Sequence, residues 1–344
     1  MHMLQLQCVF RSGGSLVCVP RRADLTARAG LEVLCLGETM SLIAPAESVG
    51  LETATSFTLT TGGAESNVAV HLAALGHRVA WAGRVGADPL GRRLVATIGA
   101  AGVDTSLVET HPTAPTGVYF KDPAPGGTTV YYYRAGSAAS TMDEWFLDGA
   151  GDAELLHISG ITPALSPGCD RLITHLLAGP RRSRISFDVN YRPALWSAGA
   201  AGPRLRELAQ LADIVFVGLD EAGTLWGAKT ADDVRAVLDG PATLVVKDAA
   251  NDATAFGAQP AVVTAPEVRV VEPVGAGDAF AAGYLSGVLR GESAVRCLRL
   301  GHLLAAHSLL STEDHTPLPT ADVLAGWLDC DESTWNALRF GGSR

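Results

Sequence analysis

The chain has 344 residues, of which 47% are hydrophobic, and a formal net charge of −10 at pH 7. This length and apolar content allow a sizeable core and exclude disorder of the whole chain. The negative charge argues against nucleic acids and anionic membranes as partners.

Residues 1–30 are expected to form an N-terminal extension outside the fold. Arg11 and the pair Arg21-Arg22 interrupt their weak hydrophobicity, so they lack the arrangement of a signal peptide. No uncharged apolar run reaches the roughly 18 residues of a membrane-spanning helix. The 6 cysteines are scattered without a C-x-x-C pair and predict neither a zinc site nor a disulfide framework. We therefore expect a cytoplasmic protein.

From Leu31 onward, short apolar runs typical of buried strands alternate with helical stretches. The predicted strands lie in "LEVLCLGE", "RVAWAGRVG", "ELLHISG", "ISFDVN", "DIVFVG", "TLVVK" and "VRVVEP". Such alternation predicts βαβ units and an α/β fold with a mostly parallel sheet. In such sheets the ligand lies beyond the carboxyl ends of the strands, where most of the unusual residues of this sequence also fall.

Two segments, about 42–61 and 115–135, do not fit the alternation. Both contain Tyr- or Thr-rich pieces separated by Pro and Gly, which predict antiparallel strands, the second pair with a turn near Pro125-Gly126-Gly127. An antiparallel addition to a parallel sheet suits a lid or an interface.

The stretch "EPVGAGDAFAAGYLSG" sets Gly275, Ala276, Gly277 and Asp278 between a strand-like and a helix-like run. A glycine turn at a helix start presents free N–H groups to an anion. Asp278 could then accept the proton of a hydroxyl held beside a bound phosphoryl group, which indicates phosphoryl transfer to an alcohol. An ordinary helix cap is the equal alternative. A dinucleotide loop would need glycine where Phe280 stands, and no P-loop motif occurs.

A second glycine cluster, "TTGGAESNVAVHLAALG", places Gly62 and Gly63 before a helix with Asn67 in its first turn. Backbone can approach a ligand closely over the two glycines, and Asn67 can donate and accept hydrogen bonds toward hydroxyls. A turn with ordinary capping is the alternative. His302 and His307 are five residues apart on an apolar helix, so no metal ligand is assigned to them.

The motifs "GGAESNVAV", "GRVGADPLGRRL", "GVDTSLV" and "PVGAGDAFAAGYLSG" together resemble the ribokinase (pfkB-type) family of ATP-dependent sugar kinases. The resemblance covers residues 31 to about 320. Within the family, "YYYRAGSAAS", "HISGITPALSP" and "FDVNYRPALWS" look like the 2-keto-3-deoxygluconate kinases.

This resemblance implies a doubly wound α/β sheet flanked by helices, with a small β lid through which members usually dimerise. The kinase domain would span residues 31–325, followed by a C-terminal helix and tail over 326–344. Asp278 would be the general base, and Gly275, Ala276 and Gly277 the anion hole. Besides Gly62 and Asn67, the matching sugar-binding positions are Gly63, Tyr119, Tyr132, Arg134, Ile161, Arg192 and Asp314.

Two arginines favour an acidic sugar as the substrate. A guanidinium recognises a carboxylate well, and Arg134 and Arg192 stand in the two matching motifs of an otherwise acidic chain. Tyr119 and Tyr132 on the lid strands would contact the sugar or, alternatively, pack across the strands or in a dimer core. Glu38, after the first strand, is expected to face the sugar.

The nucleotide side departs from the family pattern. Gly218 stands where the family usually has Asn, although Glu221 remains. After Lys247, two glycines of the usual loop are replaced by Ala249 and Asp252. His302 replaces an Asn that commonly lies by the adenine, and Ala305 a glycine. Gly218, Glu221, Lys247 and His302 are nevertheless the predicted nucleotide-binding residues.

We therefore expect a kinase that phosphorylates the 6-hydroxyl of 2-keto-3-deoxygluconate with ATP and Mg²⁺, to give 2-keto-3-deoxy-6-phosphogluconate. Use of a monovalent cation such as K⁺ stays open. One alternative is a kinase of a neutral ketose or of another keto acid; a second is a non-catalytic sugar-acid sensor. The presence of Asp278 favours the kinase, because a sensor needs no base.

Overall fold

The computed structural model describes residues 6–10, 16–20, 30–47, 49–124, 127–148, 152–180, 183–311 and 318–341. In the predicted extension, β1 (Leu6–Phe10) and β2 (Leu16–Pro20) pair antiparallel. The rest of that extension up to residue 29 lies outside the described residues, as do Asp314 and most of the turn predicted at residues 125–127.

The other elements follow in chain order. The strands are β3 (Val33–Leu36), β4 (Met40–Pro45), β5 (Phe57–Gly62), β6 (Val79–Ala82), β7 (Arg84–Gly86), β8 (Glu109–His111), β9 (Val118–Ala124), β10 (Gly127–Tyr133), β11 (Leu155–Ser159), β12 (Arg184–Asp188), β13 (Ile214–Gly218), β14 (Thr243–Asp248), β15 (Asp252–Phe256), β16 (Ala261–Thr264), β17 (Glu267–Val268) and β18 (Arg339–Phe340). The helices are α1 (Ala64–Ala74), α2 (Pro89–Ala100), α3 (Ile161–Leu165), α4 (Pro167–Ala178), α5 (Ala198–Ala209), α6 (Leu219–Trp226), α7 (Ala231–Val237), α8 (Ala276–Leu289), α9 (Ala294–Ser308), α10 (Ala321–Asp329) and α11 (Glu332–Asn336).

The central sheet of the described residues has 8 strands in the order β16-β15-β14-β13-β12-β11-β3-β6. From β14 to β6 all neighbours are parallel, whereas β15 and β16 are antiparallel additions at one edge. Helices cover both faces, which is why central strands such as "VLCL" and "IVFVG" read as unbroken apolar runs. The predicted doubly wound, mostly parallel α/β sheet is confirmed.

Alternate residues of the central strands face two separate hydrophobic cores, one on each side of the sheet. On β3, Leu34 and Leu36 face the core formed with α4, α5, α6 and α7. Val33 and Cys35 face the other core, to which α1, α2, α8 and α9 contribute. Because α1 and α8 lie on the same face, their N-terminal ends can approach each other at the carboxyl edge of the sheet.

One predicted strand is wrong. Of "VRVVEP", only Val268 lies in a strand, the two-residue β17, and residues 269–274 take no strand conformation. Val270 and Val271 are more than half exposed, so they do not supply the buried sheet position that their apolar pattern predicts.

A second sheet of 4 strands, in the order β10-β9-β4-β5, stands apart from the central one within the described residues. Its two hairpins, β4–β5 and β9–β10, are antiparallel as predicted, while β4 and β9 join them in parallel. Met40, Leu42 and Tyr119 form its small apolar core. We refer to this four-stranded sheet as the lid.

The C-terminal segment is part of the fold. Trp335 on α11 is buried in the same core as β3, and its indole Nε1 donates to the Thr264 carbonyl at 2.9 Å. β18 pairs in parallel with β17. Among the described residues, no helix is both long and apolar enough to cross a membrane.

Candidate active site

The N-terminal end of α8 has the backbone features of an anion-binding site. Gly275 occupies the N-cap in the left-handed region, at φ +89°, which glycine adopts without steric cost. It has no side chain to cap the first turn, so the helix dipole and the N–H groups of that turn are available to a ligand. Ala276, Gly277 and Asp278 form this turn.

Asp278 is held by a side chain from a distant part of the sequence. Asn67, in the first turn of α1, donates from Nδ2 to Asp278 Oδ2 at 2.9 Å. Burial raises the pKa of Asp278 to about 7, with the negative charge of Asp188 adding to it and the Asn67 hydrogen bond opposing it. The carboxyl group can thus exchange a proton near neutral pH.

Beside this loop, charged groups from three central strands or their ends meet. Lys247 Nζ on β14 lies 3.2 Å from Asp188 Oδ2, at the end of β12. Burial lowers the pKa of Lys247, but the negative charges of Asp188 and Glu221 raise it, and the net shift is upward. A Cβ placed on Gly277 would lie 3.6 Å from Lys247 Nζ. The lysine therefore faces the anion site.

Glu221, in the first turn of α6, stabilises the neighbouring backbone. Its two carboxylate oxygens accept hydrogen bonds from the N–H groups of Gly218 and Tyr191, each at 2.9 Å. Burial and the charge of Asp188 raise its pKa. Gly218 contributes only backbone here, as the N-cap of α6.

Arg192 is the most open of the predicted site cations. Its side chain is 42% exposed, and NH1 lies 4.0 Å from Glu221 Oε1. NH1 also donates to the carbonyl of Tyr191 at 3.2 Å. Its positive charge lowers the pKa of Asp278, so it lies within electrostatic reach of that carboxylate. Much of the guanidinium is left to meet a ligand.

Close packing explains the glycine pair of the second cluster. Any Cβ on Gly62, at the end of β5, would overlap the hydroxyl of Tyr119 on β9. A Cβ on Gly63, the N-cap of α1, would collide with the carbonyl of Glu38. The Tyr119 ring stacks on that of Tyr132, with centroids 5.7 Å apart. Tyr119 thus packs against Gly62, and Tyr132 packs on Tyr119.

Arg134 has a protein partner. Its Nε donates to Glu38 Oε2 at 2.7 Å, its NH2 contacts the same oxygen, and Ser137 Oγ donates to Glu38 Oε1 at 2.5 Å. The two charged side chains are only 8% and 1% exposed. Arg134 and Glu38 therefore neutralise each other between the lid and the central sheet, and Arg192 is the cation with more capacity for a substrate carboxylate.

Ile161 is buried at the start of α3, where its N–H donates to Ser159 Oγ at 3.1 Å. Ser159 in turn donates to Glu65 Oε1 at 2.7 Å. Burial raises the pKa of Glu65 to about 7 against the hydrogen bond from Ser159. Sequence reasoning assigned no role to Glu65; its position two residues before Asn67 was the available signal.

The predicted nucleotide residues do not all lie together. Lys247 lies beside the first turn of α8 and interacts electrostatically with Glu221, which accepts a hydrogen bond from Gly218. His302 instead packs against Phe280 and Trp335, with Nε2 3.0 Å from the Val263 carbonyl. Burial lowers the pKa of His302 to about 4, so the ring is neutral.

The hairpin after Lys247 keeps the backbone that glycine would favour. Ala249 has φ +43°, in the left-handed region that costs an L-residue roughly 1 kcal/mol or more. Asp252 pairs in register with Asp248 across the turn, and its pKa is raised by burial and by that neighbour. Ala249 thus stands where the family usually has glycine, yet its backbone keeps the left-handed conformation that glycine favours.

Asp188, the last residue of β12, is a site residue to which the sequence analysis assigned no role. The structure makes it central, because it contacts Lys247 and acts electrostatically on both Glu221 and Asp278. Its Oδ1 atom is buried without a hydrogen-bond partner. Within the described ranges no group of three or more His, Cys, Asp or Glu side chains forms a metal cluster. An unsatisfied carboxylate oxygen beside an anion site nevertheless suits a hard cation brought in with phosphates.

The chain is similar to known proteins in both sequence and fold. Residues 31–321 match the model of the pfkB family carbohydrate kinases. The chain is 35% identical to the 2-dehydro-3-deoxygluconokinase of Bacillus subtilis, over 88% of this chain and 97% of that protein. It is 33% identical to the 2-dehydro-3-deoxygalactonokinase of Haloferax volcanii, over 80% and 90% of the two chains.

Two solved structures have the same fold. A PfkB protein from Polaromonas sp. JS666 superposes with a TM-score of 0.75 at 34% identity, over 86% of this chain and 99% of that one. The 2-dehydro-3-deoxygluconokinase of Thermotoga maritima gives 0.79 at 23% identity, over 88% and 99%, and at that identity it bears on the fold alone.

Proposed function

We propose, since the chain belongs to the pfkB family of carbohydrate kinases, that it transfers the γ-phosphoryl group of ATP to the 6-hydroxyl of 2-keto-3-deoxygluconate. The observation that carries this proposal is Asp278, held by Asn67 within the first turn of a helix whose N-cap is a left-handed glycine. A base and an anion hole stand side by side there, as phosphoryl transfer to an alcohol requires.

In the proposed reaction the sugar hydroxyl oxygen attacks the γ-phosphorus, the bond from that phosphorus to the β,γ-bridging oxygen breaks, and ADP leaves. Asp278 takes the hydroxyl proton, while Asn67 keeps the receiving carboxylate oriented. The N–H groups at residues 275–277 and the ammonium group of Lys247 stabilise the charge of the transferred group. The lid excludes water, which competes with the sugar as acceptor.

ATP as co-substrate follows from the family, and we propose Mg²⁺ as the divalent ion. Asp188, with its unpartnered Oδ1, and Glu221 are the residues that would hold it, directly or through water. When bound, the ion would neutralise part of the phosphate charge. We add no monovalent cation to the proposal.

We also propose a cytoplasmic homo-oligomer assembled through the lid. On β10, Tyr131 and Tyr133 are exposed aromatic residues at the free edge of the lid, and such residues are common at interfaces. Sedimentation of the purified chain as a monomer at all concentrations would contradict the assembly.

The function is tested by coupled detection of ADP with a panel of 2-keto-3-deoxygluconate, its C4 epimer 2-keto-3-deoxygalactonate, fructose and ribose. We expect the highest kcat/KM for the two keto acids and a phosphate on the terminal oxygen of the product, located by NMR. The epimer is the second candidate, because the Haloferax relative carries its name. Binding of a sugar acid without ADP release would support the sensor instead.

Arg192 is expected to distinguish acidic from neutral sugars. In Arg192→Ala the KM for 2-keto-3-deoxygluconate should rise about 10- to 100-fold, since a charge-assisted hydrogen bond contributes roughly 1.5–3 kcal/mol. The KM for a neutral ketose should change less than about twofold, because no carboxylate is lost there. Steady-state kinetics with both sugars measure this, with the exposed Arg171→Ala as control. An equal rise for both sugars would disprove a carboxylate contact.

The rate should also follow the ionisation of Asp278. Its pKa is raised to about 7, and only the deprotonated form accepts the hydroxyl proton. We therefore expect kcat/KM to fall about tenfold per unit as pH drops below 7 and to level off above it. Initial rates at saturating Mg²⁺ between about pH 5 and 9 measure this profile. A flat profile would show that chemistry does not depend on this group.

A further inference from the structure

The lid is joined to the segment that precedes the anion site by a buried ion pair. Lys121 on β9 places its Nζ atom 3.4 Å from Glu272 Oε2, and the two side chains are 6% and 12% exposed. These residues are 151 positions apart in the chain and belong to different parts of the fold. The contact therefore connects the lid to residues 272–275.

The same glutamate also shapes that segment. Its other oxygen, Oε1, accepts from the N–H of Val274 at 3.2 Å, one residue before Gly275. Val270, Val271 and Val274 are exposed, so this stretch has little apolar packing of its own. The Glu272 carboxylate thus contacts both Lys121 of the lid and the backbone N–H one residue before Gly275, the N-cap of α8.

The chain uses lysine sparingly. It has only three lysines, at positions 121, 229 and 247, among 26 basic residues. Lys229 is exposed, whereas Lys121 and Lys247 have little exposed surface and form ion pairs close to the start of α8 or to the segment before it. A lysine ammonium is a compact charge on a flexible stem, which suits contact with a single carboxylate across two elements.

We propose that Lys121 and Glu272 are positioning residues that couple sugar binding under the lid to the geometry of the anion site. The proposal rests on the function proposed above. A sugar held by the lid strands fixes β9, β9 fixes Glu272 through Lys121, and Glu272 fixes the turn into Gly275. The sugar thereby raises the affinity for the nucleotide whose terminal phosphate binds there, and the nucleotide raises the affinity for the sugar equally.

The test is calorimetric titration of a non-hydrolysable ATP analogue with Mg²⁺, with and without saturating 2-keto-3-deoxygluconate. In the wild type the sugar should tighten nucleotide binding about 5- to 50-fold. In Lys121→Met and in Glu272→Gln this factor should fall to below about twofold, while each ligand alone still binds. The double variant should be no worse than either single one, since both remove the same contact.

Lys229→Met is the matched control, because it removes an exposed lysine far from this contact in sequence, and it should retain the full factor. A factor that persists in both single variants overturns the proposal, as does a wild type that binds both ligands independently. If the pair were merely structural, the single variants would bind each ligand with lower affinity and unfold at a lower temperature, but they would keep the coupling factor. That outcome would also overturn the proposal. A wild type that binds no sugar acid overturns the proposed function and this inference together.

Discussion

Asp278→Asn is expected to lower kcat for sugar phosphorylation about 10²- to 10⁴-fold, the usual contribution of a general base. The amide is close in shape to the carboxylate and can still accept the hydrogen bond that Asn67 now gives to Asp278. It cannot take up the hydroxyl proton. The affinities for sugar and nucleotide should therefore change little, and the loss should appear in kcat. Coupled ADP detection and calorimetric binding measure the two separately.

The control must remove an acid from a similar place without removing a base. Asp322 lies in the first turn of α10 and is exposed, so Asp322→Asn changes the interaction with a helix dipole alone. It should leave kcat within about twofold of the wild type. If Asp278→Asn behaved like this control, Asp278 would be an ordinary first-turn acid and not the base of the reaction.

Glu38→Leu is expected to destabilise the fold by about 3–5 kcal/mol, because it leaves the buried guanidinium of Arg134 without its carboxylate. An arginine cannot relieve this by losing its proton. Combining Glu38→Leu with Arg134→Met should restore much of the free energy of unfolding, since no buried charge remains. Chemical denaturation, followed by fluorescence, measures all three variants.

The comparison pair is Glu144 with Arg171, whose side chains are 27% and 58% exposed. Glu144→Leu should lower the free energy of unfolding far less than Glu38→Leu does, because ion pairs at the surface contribute little. If Glu38→Leu cost no more than this, water would have to reach Arg134, and that arginine would then be open to a substrate carboxylate after all.

Local sequence patterns were sufficient for much of the architecture. The run "IVFVG" is apolar on both faces, and "LLHIS" is apolar apart from His157 and Ser159; both proved to be central strands that are buried throughout. The lid hairpins were predictable because Pro and Gly break Tyr- and Thr-rich alternation. The strand predicted in "VRVVEP" failed for the converse reason. Val270 and Val271 are exposed on the segment that precedes α8, so an apolar pattern does not indicate burial there.

The partners of charged residues could not be predicted from local patterns. Nothing near Arg134 in the sequence indicates that it forms an ion pair with Glu38, 96 positions away. Asp188 likewise gained its importance only from Lys247, which a separate strand brings to it. Spacing reveals which residues share an element, but pairing across elements depends on strand order. The roles of the site residues therefore remain predictions for the kinetic tests.

The position of Trp335 has a consequence for the order in which the chain folds. This side chain completes a core that begins with Val33, and its segment lies beyond the 31–321 stretch matched by the family. During synthesis the sheet strands emerge well before residue 335, yet one of the two cores stays incomplete until then. The side chains of α9 that pack on Trp335 therefore stay partly uncovered, and thus open to chaperones, until residue 335 has left the ribosome.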